Sequence, residues 1–121
     1  MITRNKATVT RYMDAFGRSD HAAVLACLTD DVVWEIPGWF AVRGRDGFDK
    51  HIEGDGFTGR PEISVTRLVE EDNVVIAEGA VRTQRTDGTV VDLAFCDVFE
   101  LEDGLIRRLI SYLMEIKPVE A

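Results

Sequence analysis

Val91-Asp92-Leu93-Ala94-Phe95-Cys96-Asp97-Val98-Phe99-Glu100-Leu101 is the stretch on which the fold turns. Read with period two, one face carries Val91, Leu93, Phe95, Asp97, Phe99 and Leu101. A strand face that apolar points into a core or a pocket. Asp97 interrupts it. A carboxylate in such a place has to be neutral or paired, because an isolated buried charge is too costly. Asp97 is therefore a candidate functional residue. A carboxylate that caps a loop amide or pairs with a buried Arg is the alternative for the same position.

Turn signals bracket this strand. Thr86-Asp87-Gly88-Thr89 precedes it with the Asp-Gly pair that hairpins favour, and Glu102-Asp103-Gly104 follows it. The flanking segments 74–85 and 105–116 read as strands, and so does 63–70 before the turn Glu71-Asp72-Asn73. The second half is thus an antiparallel meander, with residues 117–121 as a frayed tail.

The first half is helical. Val9, Tyr12, Met13 and Phe16 follow helical spacing over residues 4–17, with Gly17 just past the end. Asp20 suits the N-cap of a second helix that buries Val24, Leu25 and Leu28. Asp30-Asp31 ends that helix and opens a strand over 32–36, which Pro37-Gly38 stops. An apolar loop with Trp39, Phe40, Val42 and Arg43 follows. Gly44-Arg45-Asp46-Gly47 leads into a short third helix with Phe48 and Ile52 one turn apart, and a glycine-rich connection runs to Pro61. Helices followed by a meander predict an α+β fold. Long strands curve as they twist, and helices laid on the hollow side leave room for a ligand.

Composition narrows the function. The chain has 121 residues, read as one domain over 1–121, with 45% hydrophobic and 30% charged residues and a net charge of −8. That charge argues against nucleic acid and against anionic membrane surfaces as partners. No stretch has the length of a membrane span, and the N-terminal segment lacks the apolar run of a signal peptide. Cys27 and Cys96 make no short-spaced pair, and His21 and His51 are too isolated for a metal cluster, so neither disulfide nor metal site is expected. A cytoplasmic, reducing compartment is the expectation.

Several strings extend the reading. These are Arg11-Tyr12-Met13-Asp14-Ala15-Phe16, Leu28-Thr29-Asp30-Asp31-Val32-Val33-Trp34, Arg43-Gly44 and Asp97-Val98-Phe99-Glu100-Leu101-Glu102-Asp103-Gly104-Leu105-Ile106. With the order of elements, they resemble the SnoaL-like, ketosteroid isomerase-like branch of the nuclear transport factor 2-like superfamily, over essentially the whole chain. The resemblance implies a cone-shaped, curved antiparallel sheet with three helices on its concave face. It implies a homodimer paired through the outer sheet face, and no cofactor. It does not single out an activity, since the superfamily hosts isomerases, cyclases, hydrolases and proteins without chemistry.

Ketosteroid isomerase holds an oxyanion with a Tyr and a protonated Asp. The matching positions here are Tyr12, which follows Arg11, and Asp97, two residues before Phe99. The general base of that family precedes a Pro at the end of the first strand, where this chain has Ile36 before Pro37. His51 is the first substitute for the absent base, with its near-neutral pKa, and Glu35 the second. Epoxide hydrolases of this fold use an Arg-x-Asp pair and a late Asp; here the strands read Ala80-Val81-Arg82-Thr83 and Tyr112-Leu113-Met114.

Trp34, Ile36, Trp39, Phe40, Phe99 and Met114 are the candidate apolar contacts of a ligand, with Trp39 and Phe40 as a lid or dimer contact. Glu78 reads as a partly buried acid with Arg82 as neighbour. One member of Arg107-Arg108 is expected to face each way along the last strand. The expected function is binding of a small, mostly apolar carbonyl- or hydroxyl-bearing molecule, with isomerase- or cyclase-like acid/base chemistry if there is any. A non-catalytic binding or sensing domain is the alternative that Ile36 favours.

Overall fold

The computed structural model describes residues 2–117. The tail expected to fray therefore lies, beyond Lys117, outside the described residues. Three helices and six strands follow in the order α1 (Arg4–Gly17), α2 (His21–Leu25), β1 (Leu28–Ile36), β2 (Phe40–Arg43), α3 (Gly44–Asp49), β3 (Phe57–Glu71), β4 (Val74–Arg85), β5 (Val90–Glu102) and β6 (Leu105–Glu115). The strands form one curved, open sheet in the order β2-β1-β6-β5-β4-β3. All neighbours are antiparallel except β1 and β6, which run parallel.

Helix α1 starts where the Thr3 hydroxyl accepts the Lys6 amide at 3.1 Å. Its apolar stripe buries Val9, Tyr12, Met13 and Ala15. Gly17 is its last residue rather than the first beyond it. Asp20 caps α2 by accepting the Ala23 amide at 3.2 Å. That helix is only five residues long, so Leu28, Asp30 and Asp31 belong to β1 and not to α2. Long-range pairing overrides local periodicity here: the Ile106 amide donates to the Cys27 carbonyl at 2.8 Å and ties the start of β1 to β6.

The segment after Pro37 is strand, not loop. The Trp39 amide donates to the Ile36 carbonyl at 2.9 Å, with Gly38 at φ 84°. Pro then Gly at the two central positions is the signature of a type II turn. It folds β2 back on β1, with Ile36 opposite Phe40 and Val33 opposite Arg43. Strand β3 begins at Phe57, earlier than its hydrophobic alternation suggests, and contains Pro61. It is an edge strand, where Pro costs no ladder hydrogen bond.

The face of β5 read from period two is the inner one: Val91, Phe95, Asp97, Phe99 and Leu101 are all buried. On β4, Val75 and Ala77 point inward, which leaves Glu78 exposed on the outer face. Glu78 pairs there with Arg67 at 3.1 Å, and Arg82 instead pairs with Asp92 at 2.8 Å. Arg107 and Arg108 both reach Glu100, at 2.9 and 2.5 Å. A β-bulge explains it: Glu100 opposes Arg108 and Leu101 opposes Ile106, so Arg107 is the extra residue. Gly79 sits where β3 is also irregular, between Val65 and Arg67. A Cβ at Gly79 would lie 2.0 Å from the Ser64 carbonyl oxygen and 2.8 Å from the Phe95 ring. Only glycine permits that approach, and bulges and glycine bends are what curve a sheet.

Candidate functional site

Between the helices and the hollow of the sheet lies a cavity of about 710 Å³. That is within the roughly 300–1,000 Å³ of small-molecule pockets. Its inner wall is aromatic and aliphatic. Trp34 stacks on Phe48 at 4.4 Å and meets Phe40 edge-on at 5.1 Å. Met13, Phe16, Ile63 and Phe95 complete much of the apolar wall. The mouth is polar, with Lys50, Glu53 and Asp55 beside Trp39.

Tyr12 and Asp97 both line this cavity. Tyr12 comes from α1 and is 2% exposed, with its ring edge-on to Phe99 at 5.4 Å. Among the described residues its hydroxyl has no hydrogen-bond partner. Burial, then the charge of Asp97, push the phenol well above its usual pKa. The charge of Asp97 acts on the Tyr12 phenol, and the two side chains line the same cavity. Asp97 is 8% exposed on β5. Its Oδ1 is shut off from water and has no partner among the described residues. Burial pushes the carboxyl up to about 7, opposed by a hydrogen bond with the Ser111 hydroxyl. The protonated form of Asp97 is therefore accessible at neutral pH. The Arg-paired alternative is not what the fold builds.

Ser111 is the residue opposite Asp97 in the β5–β6 ladder. Its Oγ accepts the Trp34 indole N–H at 3.1 Å. Sequence reasoning missed it, since a lone serine in a strand carries no pattern. His51 lines the cavity beyond α3, with its ring 4.6 Å from Phe40. Its Nδ1 lies 2.9 Å from the Gly47 carbonyl oxygen. A carbonyl only accepts, so Nδ1 carries the proton and Nε2 is the basic nitrogen.

Trp34, Ile36, Trp39 and Phe40 also line the cavity, with Trp39 64% exposed at the mouth. Phe99 and Met114 do not. Phe99 is fully buried beneath Tyr12. Met114 is 72% exposed on the outer face, and Leu113 and Ser111 occupy the wall instead. The bulge at Arg107 is the reason: it shifts the alternation of β6 by one residue, so the inward set is Leu109, Ser111 and Leu113. Glu35 alternates to the outside between the buried Trp34 and Ile36, away from the cavity.

The SnoaL-like domain model matches residues 9–109. The chain belongs to the SnoaL-like family. No match was found among curated proteins. Solved structures with the same fold include a nuclear transport factor 2-like protein of unknown function from Burkholderia pseudomallei, 21% identical, covering 93% of this chain and 92% of that one, with a TM-score of 0.86. An LEH-like epoxide hydrolase from M. tuberculosis is 23% identical over 92% of this SnoaL-like chain and 83% of its own, with a TM-score of 0.79. A candidate polyketide cyclase from Xanthomonas campestris pv. campestris is 25% identical over 90% and 89%, with a TM-score of 0.81. No helix among the described residues of this family member is long and apolar enough to cross a membrane.

Proposed function

We propose that this SnoaL-like chain, acting as one domain, binds a small, mostly apolar molecule through a carbonyl or hydroxyl oxygen held by Tyr12 and Asp97. The observation that carries this reading is a carboxyl with an unpartnered oxygen and an unpartnered phenol on the wall of one largely apolar cavity. Two neutral donors suit an oxygen that gains negative charge, because donors already in place need not reorganise. Trp34, Ile36, Phe40 and Trp39 shape the apolar remainder. The chemistry such a site supports is proton transfer beside a carbonyl, of isomerase or cyclase type. His51 Nε2 takes the proton, and Tyr12 and Asp97 stabilise the enolate. No metal or organic cofactor enters that scheme. A reducing, cytoplasmic setting is part of this reading, and the two free cysteines are compatible with it.

Ile36 favours a second reading, a binding domain without catalysis, since no titratable side chain stands at the end of β1 inside the cavity. One probe separates the two. 2-Tetralone is a bicyclic ketone with exchangeable α-protons, and its binding quenches nearby Trp34. The expected result is saturable quenching, weakened about tenfold by Tyr12→Phe, the loss of about one hydrogen bond. Loss of the α-proton NMR signal in D2O is expected to be accelerated by the wild type and not by His51→Ala. Binding without exchange supports the second reading. Equal affinity in wild type, Tyr12→Phe and Asp97→Leu removes the proposed site.

A further inference from the structure

Ser111 lines the cavity and stands between two members of the site, Trp34 and Asp97. Its Oγ accepts the Trp34 indole N–H, and indole nitrogen can only donate. With that lone pair engaged, the Ser111 hydroxyl proton is free to be given away. Across the ladder lies Asp97, whose carboxyl has an unmet oxygen. We propose that Ser111 is a positioning residue: Trp34 holds its oxygen, its hydroxyl donates to the Asp97 carboxyl, and the relay Trp34–Ser111–Asp97 orients that carboxyl toward the ligand oxygen. This rests on the reading of Asp97 as the group that meets the ligand.

The relay has a chemical consequence. A hydroxyl that donates to a carboxylate stabilises its charged form. Ser111 therefore restrains the upward push of burial on Asp97. The titratable groups coupled to Asp97 are Tyr12 from α1 and, on β5 itself, Cys96. Both are neutral at working pH, and no charged side chain among the described residues on β1, β4, β6 or α3 offsets the burial. Burial sets the direction of the shift, and among the described residues Ser111 is the side chain that opposes it; the indole keeps its hydroxyl pointed there.

The test needs no ligand. The side-chain carboxyl of Asp97 is followed by carbon NMR across a pH titration in the wild type and in Ser111→Ala, Ser111→Thr and Trp34→Phe. The expected result is a midpoint raised by about one pH unit in Ser111→Ala, the usual size of a lost hydrogen bond to a carboxylate. Ser111→Thr restores the wild-type midpoint, because the hydroxyl is kept. Trp34→Phe raises it in the same direction, and the double variant Ser111→Ala/Trp34→Phe raises it no further than Ser111→Ala. A merely structural serine would lower the melting temperature and leave the midpoint in place, which overturns the proposal. Additive shifts in the double variant also overturn it, since the indole would then act by another route. The ligand reading is judged separately, by 2-tetralone affinity in Asp97→Leu. It can fail while the Ser111 midpoints move as expected, and the reverse also holds.

Discussion

Asp97 is a burden on the folded state at neutral pH, since its carboxyl is buried with one oxygen unpartnered. Burial pushes its carboxyl up from 3.8, the ordinary value kept by the unfolded chain, to about 7. The unfolded chain releases its proton first as pH rises, so this group's contribution is full below the unfolded value and is lost as pH rises through about 7. The stability of the wild type relative to Asp97→Leu should fall by roughly 3 kcal/mol between about pH 4.5 and pH 8. Urea unfolding of both proteins across that range checks it; a constant difference would show the carboxyl to be paired or hydrated. Asp97→Leu should fold, because an apolar site accepts an apolar group. Asp97 was legible from periodicity, standing on a strongly apolar strand face; periodicity put Tyr12 on the apolar face of its helix, and the resemblance singled it out. Ser111 was not, since only the ladder register brings it opposite Asp97. Met114 was misplaced because one extra residue at Arg107 reverses which side of β6 faces inward.

At the level of elements, the short pieces were the hard ones. Helix α1 and strands β4 to β6 repeat their pattern often enough to be read directly. Helix α2 has five residues and β2 four, and each is defined by partners far along the chain. The Pro37-Gly38 pair did carry the turn type that makes β2 a hairpin arm, a signal readable from sequence but outweighed by the expectation of a loop. The α2–α3 junction holds a clasp that periodicity does not reveal. His21 Nδ1 lies 2.5 Å from Asp49 and Nε2 2.7 Å from Glu53. The hydrogen bonds to Asp49 and Glu53 raise the His21 pKa. Its stabilising effect is therefore complete below the unfolded value of 6.5 and disappears as pH rises through the raised folded value. His21→Gln should melt below the wild type at pH values under 6.5, with the gap narrowing as pH rises through the raised folded value. Because the clasp is partly exposed, the gap should also shrink in high salt. Parallel melting curves across that range would show the imidazole to be uncoupled from the two acids.

For the whole molecule, the outer sheet face is the unresolved surface. Val69, Ile76, Val98 and Ile110 form a row across β3 to β6, with Tyr112 beside Cys96 and Met114 beside Ala94 in the next rows. Tyr112 and Met114 are well exposed. The pair Arg67–Glu78 shares the row of Tyr112, and Arg82–Asp92 lies in the row beyond Met114, so both signs of charge accompany the apolar groups, which suits a self-complementary contact. A homodimer through this face is the proposed assembly. Light scattering should give twice the 13.5 kDa chain mass for the wild type and a single chain for Ile76→Glu/Tyr112→Glu. A monomeric wild type would rule the assembly out. The α+β class and the hollow were legible because they follow from element order. The parallel β1–β6 contact was not, because it joins strands from opposite ends of the chain.

Contact order predicts a sequence of events for that contact. Strands β3 to β6 pair with sequence neighbours, whereas β1 must find β6 across most of the chain. Trp34 travels with β1, and Tyr12 with the helix before it. A meander formed ahead of them would leave Asp97 hydrated and free to ionise at ordinary acidity. In that order the arrival of the N-terminal third would dehydrate the carboxyl, and the closing step of assembly, rather than the formation of the sheet, would be where proton concentration acts through Asp97.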